Sequence, residues 1–161
     1  ISFVNNTHAT DGYVQRLQST STQAATWNFL GAYANAGTDL RFVIAGTGNV
    51  TNANNSYGAI SDVRLKQDIA DAGSAWEDVK AYRFRKFRFK ADPTGPLQLG
   101  VVAQELAAVS PGLVEEVPDY NDPTAERMLT VKYSVLLLKA AKALQEAMQR
   151  IEALEARLPP A

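Results

Sequence analysis

From Leu129 to Leu158 the sequence contains neither proline nor glycine, and within it Leu137, Leu144, Ile151 and Leu158 recur every seven residues. Ala140, Ala147 and Leu154 follow the first three of these by three places. The stretch is rich in Ala, Leu, Lys, Glu and Gln, and Pro159-Pro160 closes it, so the spacing predicts one long helix of roughly 40 Å over about 129–158. A seven-residue repeat keeps a narrow apolar seam on one side of a helix, here for about three heptads. One helix cannot bury such a seam alone. Packing only on its own domain is the simpler account, but self-association explains the repeat better. Arg150, Glu152, Glu155 and Arg157 flank the seam and would set the register between neighbouring helices.

What precedes this helix is of two kinds. Of the chain's 16 Lys and Arg and 17 Asp and Glu residues, only Asp11, Arg16, Asp39 and Arg41 come before Ser61. Residues 1–60 are otherwise Thr, Asn, Ser, Gly and Ala around short apolar segments. Ser2-Phe3-Val4, Tyr13-Val14, Trp27-Asn28-Phe29-Leu30 and Leu40-Arg41-Phe42-Val43-Ile44 read as short strands. They are separated by turn signals at Asp11-Gly12, Gly37-Thr38 and Gly46-Thr47-Gly48-Asn49. Strands this short, with so polar a surface, bury little, and intertwining with further copies would supply the missing core. A small β-sandwich is the plainer alternative.

From Ser61 onward the reading is α+β. Leu65 to Ile69 begins a helical turn after a Ser/Asp cap, and Trp76, Val79 and Tyr82 mark a short amphipathic helix interrupted at Gly73. Tyr82 to Lys90 alternates aromatic and basic residues and turns through Asp92-Pro93-Thr94-Gly95-Pro96 into Leu97 to Val102, a hairpin. Gln104 to Val109 is helical until Ser110-Pro111-Gly112 stops it, and Leu113 to Val117 is a further strand before an acidic loop from Pro118 to Pro123.

Composition removes several functions. There is no cysteine and a single histidine, His8, so disulfides, thiolate metal sites and a histidine zinc site are not available, and no cofactor is expected. No apolar run approaches the roughly 20 residues of a membrane span. A net charge of −1 gives no overall field for nucleic acid. Lys80 to Lys90 does interleave bases with aromatics, as single-strand binders do. The competing expectation is a strand with its aromatics in the core and its bases solvated or paired with Glu115, Glu116 and Asp119. The chain opens on Ile1 rather than methionine and is read as the C-terminal part of something longer.

Three blocks carry a resemblance. Ser61-Asp62-Val63-Arg64-Leu65-Lys66-Gln67-Asp68-Ile69 comes first, and Leu99-Gly100-Val101-Val102-Ala103-Gln104-Glu105-Leu106 with Ser110-Pro111 second. Val131-Lys132-Tyr133-Ser134-Val135-Leu136-Leu137-Leu138-Lys139-Ala140, leading into the heptads, is the third. In this order they resemble the peptidase S74 family, the intramolecular chaperone domains at the C-termini of phage tail spikes and fibres. The segment Gly46 to Val50, with Asn52 and Asn54 to Gly58, looks like what often precedes that domain. Asp68 stands where the family more often has Asn.

The resemblance implies a homotrimer in which residues 61–161 are a chaperone for a β-rich fibre ending at residue 60, the long helix forming a trimeric coiled coil. It also implies self-cleavage between Ile60 and Ser61, with Ser61 and Lys66 as the catalytic pair and release of the chaperone from a virion fibre after assembly in the host cytoplasm. The fibre would meet the host surface, and Tyr13, Trp27, Phe29 and Tyr33 would either stack on sugars or form the fibre's core. The chemistry is sound from the residues alone: a serine hydroxyl can attack the carbonyl before it and convert the amide into an ester. An ordinary lysine, with a pKa of about 10.4, is neutral only about 0.04% of the time at pH 7. Lys66 would therefore need desolvation, as in a trimer, or a neighbouring cation such as Arg64. A permanent trimerisation domain that never cuts itself is the alternative.

Overall fold

The computed structural model describes residues 27–119, 122 and 124–158. The expected strands at Ser2-Phe3-Val4 and Tyr13-Val14, together with His8 and Tyr13, lie outside these residues. The chain is α+β and divides into two compact units, Ile1–Asp68 and Ile69–Ala161. No helix among the described residues is long and apolar enough to cross a membrane.

In the first unit β1 (Asn28–Ala34), β2 (Asp39–Ala45) and β3 (Val50–Asn52) form an antiparallel sheet in the order β1-β2-β3. The turn residues lie where the sequence signals them. Asn35, Ala36 and Gly37 all have positive φ between β1 and β2, and Gly48, at φ 84°, closes the β2–β3 turn with its N–H on the Ala45 carbonyl. Trp27 and Phe29 meet edge to face, their ring centres 4.6 Å apart. Yet Val43 is the one buried apolar side chain described in this unit, while Leu30, Tyr33, Leu40 and Val50 remain exposed. The sheet has very little interior.

The second unit has a core. Tyr82, Val101, Leu106, Leu113 and Leu136 are buried together, with Val79, Val109, Val114 and Val131 packed against them. Tyr82 follows α1 (Trp76–Ala81), and Val101 follows the hairpin of β4 (Arg85–Phe87) and β5 (Gln98–Gly100). Leu106 belongs to α2 (Ala103–Ala107), which ends before a 3-10 turn at Pro111–Leu113. Gly100 is needed for close approach: a Cβ there would stand 2.7 Å from the Tyr133 hydroxyl and 3.2 Å from the Phe87 ring. The pair β6 (Val114–Val117) and β7 (Met128–Val131) is antiparallel, and α3 (Tyr133–Glu155) follows directly.

Three expectations need correction. The long helix starts at Tyr133 rather than about 129, because Leu129 and Val131 turn inward with strand alternation and pair with Glu116 and Val114. Only Arg85–Phe87 of the aromatic and basic run is strand. Beyond it the chain turns, with the Asp92 N–H on the Phe89 carbonyl and the Arg88 guanidinium on that of Gly95. The bases also find other partners. Arg83 and Arg85 pair with Glu105 and Lys80 with Glu77, whereas Glu115 and Glu116 take Lys132 and Arg127. Of the aromatics, Tyr82 is buried, but Phe84 and Phe89 face water.

Candidate functional site

Ser61 and Lys66 are five residues apart, and five extended residues would span roughly 17 Å. A tight turn removes that distance. Residues Val63–Leu65 form a single 3-10 turn in which Leu65 N–H bonds the Asp62 carbonyl and Lys66 N–H the Val63 carbonyl, both at 3.1 Å. Asp62 is its N-cap, accepting the Arg64 N–H at 2.9 Å. The Asp62 carboxylate also receives the Arg64 guanidinium, and these two bonds hold it below the usual carboxylate range. At the end of the turn Lys66 Nζ lies 2.7 Å from Ser61 Oγ and donates to it.

The surroundings are open. Ile60, whose carbonyl carbon joins Ser61, is 86% exposed, and Tyr57, Val63, Leu65 and Ile69 are also exposed apolar side chains. Arg64 faces Asp62 and so is compensated, which removes it as the uncovered cation beside Lys66. Asp68 has φ 54°, the left-handed region that asparagine and aspartate occupy most readily after glycine, so either residue suits the end of this segment.

On α3 the seam residues stand in water: Leu137, Leu144 and Ile151 are 67%, 63% and 54% exposed, Leu154 is exposed too, and Leu158, 69% exposed, lies past the helix, which ends at Glu155 rather than 158. The residue before each of the first three faces inward instead. Leu136 and Ala143 are buried, and Arg150 places its guanidinium 3.8 Å from the centre of the Trp76 ring. The two stripes are therefore about 100° apart around the helix. Ala140 and Ala147 are half-buried between them, a position that a small side chain fits. Arg150, expected to set register along the seam, is committed to α1.

The inward stripe also carries polar contacts. Glu146 accepts from Ser74 Oγ at 2.8 Å and from the Ala75 N–H at 3.1 Å, just ahead of α1, and is held low chiefly by the Ser74 bond. Lys139 donates to Asp78 and, at 2.8 Å, to Ser110 Oγ, which is 2.9 Å from the Tyr82 hydroxyl. The Lys139 bond holds Asp78 low, and Asp78 in turn pushes Lys139 up. In the sequence Ser110 reads as a helix stop and Ser110 and Lys139 fall in blocks of the family resemblance, but nothing there gives Ser110, Asp78, Lys139 or Glu146 a partner. Their partners lie 28 to 72 residues away, a separation with no local signature. Asp62 is visible as a cap in the sequence, but the turn it caps is Val63–Leu65 rather than Leu65 to Ile69, where residues 66–69 are not helical.

Residues 61–115 match the Peptidase S74 family, described as chaperone of endosialidase, and the match begins on Ser61 itself. That stretch is a peptidase S74 domain. The S74 match runs from the Ser61–Lys66 turn through α1, the β4–β5 hairpin and α2 into β6, and α3 lies beyond it. The chain is also similar to the "Probable tail fiber protein" of Escherichia phage Phieco32, 31% identical over 110 residues that make up 67% of this chain. It spans only 15% of the length of that relative.

Proposed function

We propose that this chain is the chaperone end of a phage tail fibre, which trimerises, guides the β-rich segment before it into register and then cuts itself free between Ile60 and Ser61. Residues up to 60 are the end of the fibre and residues from 61 the chaperone, and the assembled fibre is a virion component. The single observation that carries the reading is that the S74 match opens on Ser61 while the amine of Lys66 stands 2.7 Å from its hydroxyl. Likeness to a tail fibre protein and the open apolar stripe along α3 support the fibre and trimer parts.

In the cleavage, Ser61 Oγ attacks the carbonyl carbon of Ile60 as its proton passes to neutral Lys66 Nζ. The lysine then returns a proton to the departing Ser61 nitrogen, leaving an ester between the Ile60 acyl group and Ser61 Oγ. Water hydrolyses that ester to the Ile60 carboxylate and restores the hydroxyl. The same 2.7 Å contact serves both protonation states: a charged lysine donates to the serine, and a neutral one accepts from it. Since Arg64 is compensated by Asp62, exclusion of water by assembly is what favours the neutral form.

Intact masses of the denatured parent chain and of Ser61→Ala and Lys66→Ala test this directly. Two fragments from the parent, divided at Ile60/Ser61, with both variants whole, is the expected result. A parent that forms trimers and stays whole is instead a permanent trimerisation domain.

A further inference from the structure

The contact between Lys66 and Ser61 depends on a turn, and the turn depends on one side chain. Asp62 Oδ1 takes the Arg64 N–H at 2.9 Å and so satisfies an amide that the 3-10 turn leaves without a backbone acceptor. The ion pair with Arg64 adds a second tie, but the arginine side chain is mostly in water, where such pairs contribute little. The cap is the stronger of the two.

We infer that Asp62 is a positioning residue for the cleavage: its carboxylate oxygen, by capping the turn at Val63–Leu65, keeps the Lys66 amine against the Ser61 hydroxyl. Asp62 touches neither reacting atom, and its charge is not what the reaction uses. The inference rests on the self-cleavage reading above, and it separates two roles for the acid. A positioning cap needs only an acceptor oxygen, which asparagine also supplies. An electrostatic partner of Lys66 needs the negative charge, which asparagine lacks.

The test is the rate of chain cleavage against pH in Asp62→Asn, Asp62→Ala and Arg64→Ala, made in the full chain. Loss of an N-cap implies a slowing of about two- to thirtyfold, roughly fivefold in the typical case. Asp62→Ala should show that slowing at the plateau of the pH profile, Asp62→Asn, which uncovers Arg64 equally, should reach a plateau within about twofold of the parent, and Arg64→Ala should lose less than Asp62→Ala. The inference is overturned if Asp62→Asn is as slow as Asp62→Ala, if the two differ in the midpoint of the profile, or if Asp62→Ala cleaves at the parent rate. Should the parent not cleave at all, the self-cleavage reading fails while the cap is still decided by NMR. A nuclear Overhauser contact between Ser61 Hβ and Lys66 Hε should then be present in the parent and in Asp62→Asn and lost in Asp62→Ala, and its persistence in Asp62→Ala sinks the inference.

Discussion

Replacing Leu144 and Ile151 together by serine should dissolve the proposed trimer while leaving the single chain folded. Both side chains are more than half exposed in the single chain, whereas its own core takes Leu136 and Ala143 from the adjacent stripe. Full burial of a leucine or isoleucine is worth about 1.5–3 kcal/mol, so covering what remains exposed on each adds about 1–2 kcal/mol. Two substitutions forfeit about 2–4 kcal/mol per chain and about 6–12 kcal/mol in a trimer, or roughly four to nine orders of magnitude in its association constant.

Sedimentation velocity at micromolar concentration reads the assembly, and thermal unfolding followed by circular dichroism reads the fold. Leu136→Ala is the contrasting variant: it empties part of the core, should cost about 2–5 kcal/mol and should lower the unfolding midpoint directly. The same seam double variant should also cleave far more slowly, since its Ser61 and Lys66 never leave water. A double variant that still trimerises, or that trimerises no longer yet cleaves as fast as the parent, refutes the reasoning on the seam or on its link to the chemistry.

Three further outcomes are expected. Gly100→Ala puts a methyl group 2.7 Å from the Tyr133 hydroxyl and 3.2 Å from the Phe87 ring, so it should destabilise the second unit by about 1–3 kcal/mol in urea titrations. Asp78 is held low and Lys139 high, chiefly by each other, so the stability they confer is present above the ordinary carboxylate pKa and lost as pH falls through the depressed value of Asp78. It is equally present below the ordinary lysine pKa and lost as pH rises through the raised value of Lys139, so Lys139→Met should flatten both limbs of the urea midpoint against pH. The loss at pH 7 should be no more than about 1 kcal/mol, because both side chains are about a third exposed. Asp68→Asn should leave thermal stability unchanged, whereas Asp68→Val forces a β-branched side chain into φ 54° and should cost about 1–3 kcal/mol, measured by urea titration.

Much of the fold could be read from local chemistry because local chemistry decides it. Gly46 to Asn49 turns where a glycine permits positive φ, α1 runs where Trp76, Val79 and Tyr82 set a helical period, and α2 stops before Ser110-Pro111. The helix start was misplaced because Leu129-Thr130-Val131 is free of breakers and continuous with good helix formers. Its strand state comes from pairing with Val114 to Val117, which no period within the segment reveals. The seam was legible but the stripe beside it was not. The half-buried place of Ala140 and Ala147 between the two stripes accounts for the choice of a small side chain.

Among the described residues there are two serine–lysine contacts of nearly equal length, 2.7 Å at Ser61 and Lys66 and 2.8 Å at Ser110 and Lys139. Distance therefore does not mark a nucleophile. Ser110 is 6% exposed and shares its oxygen among Lys139, Asp78 and Tyr82, while Asp78 keeps the Lys139 amine charged and unable to accept a proton. That arrangement ties α1, α3 and the end of α2 together and has no use for a base. Around Ser61 the one acid of the turn, Asp62, is occupied by Arg64, and the adjoining residue Ile60 lies open. An acid bonded to the amine makes a structural lock at Ser110, whereas at Ser61 the acid of the turn is bonded to an arginine instead.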